Sequence, residues 1–208
     1  MYLPAHFEET RLDVLHDLIR AHPLGTLISV EGDQAVADEI PFVLDPTAGA
    51  QGHLRAHLAR ANPLCRNHAD GRQVLVLFRG PQAYVSPAWY PGKAEHGRVV
   101  PTWNYVSVQV SGRLRLVDDE AWIRAQLDEM TTQQEAGRTA PWRVDDAPED
   151  FIAQQLRAIV GVEIVIESLT GKWKTSQNRS VADRLGVAAG LAAEDDPQAR
   201  RMARLVAP

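Results

Sequence analysis

Between Thr102 and Val117 the chain reads TWNYVSVQVSGRLRLV. From Val106 onward, apolar residues (Val106, Val108, Val110, Leu114, Leu116) alternate with polar ones (Ser107, Gln109, Ser111, Arg113, Arg115). A period of two is that of a strand with one face on a core and one face on water. Gly112 interrupts the series at the point where a long strand would bend. Five further stretches carry strand signals: LGTLISV from Leu24, QAVADEIPFVLD from Gln34, HLRAHLA from His53, RQVLVLF from Arg72 and VEIVIESLTGKWK from Val162. Short turn-forming segments link several of them, Glu31-Gly32-Asp33 among these, and helical crossovers do not. Parallel pairing needs such crossovers, so the pattern predicts an antiparallel α+β fold with a small six-stranded barrel and flanking helices.

The helices follow from a change of period. Leu12, Leu15, Leu18 and Ile19 share one face over Glu8–His22, and His22-Pro23 ends the run. Trp122, Ile123, Leu127 and Met130 mark a second helix, capped by Asp118 or Asp119. EDFIAQQLRAIVG is a third, ending at Gly161. Ser180, with Asp183 three residues on, opens a fourth, and PQARRMARLV forms a fifth. ANPLCRNHADG is a short helical or irregular link, and the stretch from Gly80 to Pro101 reads as mostly irregular. The chain divides into a main domain over residues 1–192 and a helical tail over 193–208.

At 208 residues the chain can bury a core without covalent staples. A single cysteine, Cys65, removes an internal disulfide and argues against a thiolate-rich zinc site. Its neighbours His53, His57 and His68 allow a Cys–His pair, but nothing in the spacing demands one, and a partly buried structural thiol is the expected reading. No apolar run approaches a bilayer span, and MYLPAHFEET has neither a basic nor an apolar leader region, so a cytoplasmic location is expected. The net charge of −5 does not suit a dedicated nucleic-acid binder. There is no GxGxxG, GxxxxGK[ST], GxSxG or HExxH.

Three segments concentrate unusual residues. HLARANP places Arg60 at a strand end beside Asn62 and Pro63, suited to a surface ion pair or to a phosphate. GKWKTSQNRS offers Lys174, Ser176, Gln177, Asn178 and Arg179 just before a helix N-terminus, which fits an anion site or a solvated basic loop. YVSPAWYPGKAEHGRVVPTWNY holds three of the four tyrosines and two of the five tryptophans. Aromatic residues interleaved with Pro, Gly and Asn wall a flat ligand, a subunit interface or a barrel end.

These segments carry a resemblance. MYLPAHF, GHLRAHLARANP, YVSPAWY, VPTWNY and IVGVEIVIESLTGKWKTSQNR, in that order, make the chain resemble the PaiB-type family of FMN-binding negative transcriptional regulators over Met1 to Leu191. The resemblance implies a split barrel similar to pyridoxamine phosphate oxidases and flavin reductases. It also implies a homodimer with FMN in the groove between subunits. On that basis His57, Ala59, Arg60 and Asn62 are expected to contact the flavin or its phosphate. Lys174, Ser176, Gln177, Asn178 and Arg179 would supply further donors, and Trp103, Asn104 and Tyr105 the pocket wall or dimer seam. The family implies transcriptional repression. The physical support for direct DNA contact is the set Arg200, Arg201 and Arg204, which equally forms a solvated face. An FMN-dependent oxidoreductase, with His57 and Tyr105 as groups to test, is the competing class. A haem-handling split barrel is a third, although no haem-attachment motif is present.

Overall fold

In a computed structural model, which describes residues 1–65 and 71–208, eight strands form one antiparallel sheet. They are β1 (Glu8–Glu9), β2 (Leu24–Glu31), β3 (Gln34–Pro41), β4 (Val43–Asp45), β5 (His53–Ala59), β6 (Gln73–Val85), β7 (Thr102–Val117) and β8 (Ile159–Lys174). The helices are α1 (Leu12–Ala21), α2 (Gly92–His96), α3 (Glu120–Glu135), α4 (Glu149–Ala158), α5 (Val181–Ala193) and α6 (Pro197–Val206). His68, and the part of the predicted link that covers 66–70, lie outside the described residues.

The strand order is β3-β2-β6-β7-β8-β5-β4, with β1 paired to β8. Six strands were expected, and the two extra ones have physical causes. The run from Gln34 to Asp45 is not one strand. Pro41, opposite Leu24, has no N–H to donate to a ladder, and the Phe42 N–H makes the last bond of that register, to the Pro23 carbonyl at 2.9 Å. From Val43 the chain pairs with β5 as β4, with Val43 opposite Arg55. β3 and β4 are neighbours in sequence yet stand at the two ends of the strand order, and no ladder joins them. The sheet is thus not closed. The other extra strand, β1, is two residues long, too short for a period to register.

Two further differences concern β6 and β8. β6 continues past Phe78 to Val85, burying Ala83 and Val85, although Gly80-Pro81 reads as a breaker. α4 ends at Ala158 and the β-branched run from Ile159 is already strand, so Gly161 does not cap a helix. A Cβ on Gly161 would meet the Trp122 ring at 2.5 Å, which explains why a residue without a side chain sits there.

The chain folds as two compact units. One comprises Ile19–Phe78 and Gln109–Leu169. It holds β2 to β5 and α3 and α4, with Ile123, Val144, Ile152 and Leu156 forming a core cluster under the helices. Asp119 caps α3 by accepting the Trp122 N–H at 2.8 Å. Phe42 and Phe78, both buried, pack edge to face. The other unit comprises Met1–Leu18, Arg79–Val108 and Thr170–Pro208. Its core joins Ala83, Val85 and Tyr90 to Val187, Leu191, Ala199, Met202, Ala203 and Val206, so α6 shares a core with α5. Ser180 caps α5 and Asp196 caps α6 through their side chains. Among the described residues no helix is long and apolar enough to cross a membrane.

Candidate functional site

The unit that carries both chain ends gathers the basic turn and the aromatic strand. β8 alternates, so Lys172 and Lys174 project from the same face of the sheet. The Lys172 ammonium lies 5.4 Å from the Tyr105 ring centre and 5.8 Å from that of Tyr2, and donates to the Tyr2 carbonyl at 3.0 Å. Lys174 lies 6.0 Å from the Tyr105 ring and donates to the Thr102 hydroxyl and the Trp103 carbonyl, both at 2.6 Å. The Arg179 guanidinium sits 5.2 Å from the Tyr90 ring centre. Cations over aromatic faces are held without being neutralised. Among the described residues no carboxylate forms an ion pair with Lys172, Lys174 or Arg179. Burial, and then the charges of Lys172 and Arg179, hold the Lys174 ammonium below its ordinary pKa.

The turn after β8 is built by its own polar atoms. The Gln177 side chain accepts from the Thr175 N–H at 2.8 Å and donates to the Trp173 carbonyl. The Ser176 carbonyl accepts from Arg179 N–H at 3.0 Å. Ser176, buried, adopts φ +65°, the one non-glycine positive φ among the described residues. Its Oγ accepts from Nδ2 of Asn104 at 2.9 Å. Asn104 is 0% exposed, and its Oδ1 has no hydrogen-bond partner. Gln177 and Asn178 are exposed.

Trp103 is half-exposed, donates from Nε1 to Gln82 at 2.8 Å, and meets Tyr84 edge to face at 6.1 Å. A cavity of about 340 Å³ opens beside it, with Trp89 as a further wall. Trp89 itself lies on α5 at Gly186 and Gly190, where a Cβ would come within 2.1 Å of its carbonyl oxygen and 2.3 Å of its ring. The aromatic stretch thus combines packing on a helix with two exposed rings.

The remaining predicted residues, His57, Ala59, Arg60 and Asn62, lie in the other unit. His57 Nδ1 bonds Oε1 of the buried Gln126 at 2.9 Å. Ala59 ends β5 opposite Ile159. The Arg60 guanidinium takes both oxygens of Asp118, at 2.6 and 2.9 Å, and the carbonyls of Arg157 and Ile159. Asn62 donates to Asp38 and accepts from the Leu64 N–H. Cys65 approaches the Ala59 carbonyl at 3.7 Å, and burial raises its thiol pKa, as suits a structural thiol. Lys172, Tyr2 and Thr102 escaped the sequence reading. The i, i+2 spacing of Lys172 and Lys174 in a strand was the signal that could have found the first.

With this geometry in place, comparison with known proteins is specific. Residues 1–168 match the family model described as "Putative FMN-binding domain". The chain belongs to this FMN-binding family. Protease synthase and sporulation protein PAI 2 of Bacillus subtilis is 29% identical to this family member over 99% of this chain and 96% of the relative. A protein of Emericella nidulans, uncharacterized protein AN0679, is 35% identical over 92% of this chain and 90% of its own. Among solved structures, the FAD and heme binding protein from Mycobacterium smegmatis superposes with a TM-score of 0.59 at 22% identity, over 80% of this chain and 73% of that one. The flavocytochrome Anf3 from Azotobacter vinelandii gives 0.57 at 15%, over 80% and 69%. These two establish a shared split-barrel fold. The family match ends at residue 168, before the basic turn, whereas both relatives extend over it.

The residues present fit a flavin mononucleotide. A phosphate dianion needs cations and oriented N–H or O–H donors. Lys174 and Arg179 are cations without a carboxylate partner, and Ser176 is a buried hydroxyl beside them in the turn.

Proposed function

We propose that this protein is an FMN-binding regulator whose flavin phosphate is held by Lys174, Ser176 and Arg179. The observation that carries this reading is the pair of lysines, Lys172 and Lys174, that no carboxylate ion-pairs among the described residues, on a sheet face that also presents Trp103 and Tyr105. Leaving like charges close together and partly buried is unfavourable unless an anion joins them. When bound, FMN supplies a redox-active ring. The chain's own residues fix the phosphate end and offer aromatic surface beside it. Tyr84 and Trp103 also give the homodimer of this reading an exposed face on which a second copy can close the groove. An ultraviolet–visible spectrum after FMN addition and removal of free ligand tests the reading; a retained flavin band is expected, and its absence overturns it.

The regulatory part follows the Bacillus subtilis relative, whose name places it with protease synthesis and sporulation. Of the three arginines on α6, Arg200 is engaged by Asp195 and the Glu194 carbonyl, which leaves Arg201 and Arg204 on the exposed side. Two arginines beside three acidic residues make a poor phosphate-backbone footprint. The regulation we propose therefore does not run through tight DNA contact by α6. A salt-sensitive gel shift with nanomolar affinity contradicts this part. Turnover of NADPH with bound FMN favours the oxidoreductase reading instead, and a Soret band the haem one.

We assign Arg60 to the fold, since Asp118 and two carbonyls already occupy its guanidinium. Arg60→Ala is expected to lower stability within about 1 kcal/mol, as for an exposed pair, and to leave FMN affinity within a factor of about two. Flavin titration and a thermal melt separate the two effects.

Lys174 gives a pH signature. Its folded pKa lies below the ordinary 10.5, so in the window between those two values the unfolded chain binds more protons than the folded one. Stability of the flavin-free protein therefore rises with pH through that window. The charge offered to the phosphate is present below the depressed pKa and lost above it, so FMN affinity falls over the same range. Affinity that stays flat up to pH 10.5 contradicts a role for Lys174.

A further inference from the structure

The cavity of about 340 Å³ beside Trp103 differs in character from the basic turn. Its walls include Tyr84 from β6, Trp103 from β7, Trp89 from the turn that follows β6, and Glu194 and Asp196 from the link between α5 and α6. Among the described residues no lysine or arginine lines it. The flavin phosphate proposed above has no use for such a lining, since carboxylates repel it.

The fold sets the three rings in place. Trp103 Nε1 donates to Gln82 at 2.8 Å, which satisfies the one polar atom of the indole and leaves its π surface to offer. Tyr84 meets Trp103 at 6.1 Å with the ring planes 65° apart, so the two form a corner, and each is about half exposed. Trp89 is seated on α5 at Gly186 and Gly190. The carboxylates are a separate observation. Arg200 donates to the Glu194 carbonyl at 3.1 Å and pairs with Asp195 at 3.3 Å, not with the Glu194 carboxylate. Asp196 spends Oδ1 on the Gln198 N–H at 2.9 Å. Neither Glu194 nor Asp196 forms an ion pair among the described residues. The mouth of the cavity therefore keeps two carboxylate charges.

Aromatic faces attract a cation through the ring quadrupole, and carboxylates attract it by charge. A neutral apolar ligand gains from the rings alone, and an anion is repelled. A cavity of this size admits a small molecule. We propose that it binds a small organic cation, an alkylammonium or quaternary ammonium group, held against Tyr84, Trp89 and Trp103 and balanced by Glu194 and Asp196. The site goes beyond the FMN reading: Trp103 is shared with it, the carboxylates are not.

The test titrates the full chain with choline and with 3,3-dimethylbutanol, its uncharged isostere, at constant ionic strength, read by tryptophan fluorescence. Choline is expected to bind about fivefold or more tighter. Equal affinities, or no binding of either, overturn the inference. Glu194→Gln combined with Asp196→Asn removes both charges, while asparagine keeps the α6 cap. It should cut the choline preference about threefold or more and leave the alcohol within about twofold. Tyr84→Leu keeps apolar bulk at an exposed strand position, removes one π face, and should weaken choline by about threefold. An undiminished preference in both variants overturns the inference. FMN retention by the double variant should match wild type; its loss there would make the carboxylates part of the flavin site and overturn the inference too. Choline affinity that falls as chain concentration rises would mean that a second copy fills the cavity, again overturning it. A wild-type chain that retains no FMN overturns the FMN reading instead, and the choline comparison then decides this one by itself.

Discussion

Replacing Lys174 and Arg179 together with alanine should remove FMN retention while leaving the fold intact. In the proposed site each would provide one charge-assisted contact to the phosphate, a class of interaction that contributes about 1.5–3 kcal/mol. Losing both raises Kd by roughly two to four orders of magnitude. Neither cation forms an ion pair among the described residues, so the structural cost is the loss of the Lys174 hydrogen bonds to Thr102 and the Trp103 carbonyl and of the two ring contacts, offset in part by relief of the repulsion among Lys172, Lys174 and Arg179. The melting temperature of the flavin-free protein should therefore fall by only a few degrees. Both quantities come from one preparation: flavin fluorescence titration for Kd, and circular dichroism for the melt. Affinity within twofold of wild type would disprove the phosphate assignment. A melting temperature many degrees lower would instead mean that the two residues hold the turn together.

The second large effect is expected far from any ligand. At Gly112 a Cβ would lie 2.2 Å from the Val165 carbonyl oxygen and 2.8 Å from Ile164 Cγ2. The nearer atom belongs to the backbone of the neighbouring strand β8 and cannot swing aside like a side chain. Gly112→Val therefore forces the two strands apart, and overpacking of that kind costs about 3 kcal/mol or more. For a chain of this size that corresponds to a fall of roughly 6–12 °C in melting temperature, measurable by calorimetry. A variant within about 2 °C of wild type would show that β7 and β8 part here without cost.

The same glycine shows what a sequence discloses. Its place in the alternation of β7 predicted a bend; the structure shows an unbroken strand there and gives the close approach of β8 as the reason for a glycine. The long strands, the Asp119 and Ser180 caps and the helix α6 all follow local rules of period and capping, so local reading found them. The split of β3 from β4 depended on β5 taking up Val43–Asp45 as a new partner, which is a long-range fact. The end of α4 at Ala158 depended on β5 offering a ladder to Ile159 and its successors. The basic turn was visible as composition. Its meaning was not, because which cations go without an ion pair among the described residues, as Lys172, Lys174 and Arg179 do, is a property of three-dimensional neighbours. The polar atoms of His57, Arg60 and Asn62 likewise look available in sequence, and only folding gives them Gln126, Asp118 and Asp38.

Each of β6, β7 and β8 runs through both compact units, so the boundaries at Phe78–Arg79, Val108–Gln109 and Leu169–Thr170 all fall inside a strand. No single genetic cut releases the half that carries Lys174 and Ser176. A recombination event or an expression fragment that took only that half would sever three strands at once and leave their ladders unmatched. The turn that carries Lys174 and Ser176 and the strands that lead into it must therefore be inherited, and engineered, as one piece.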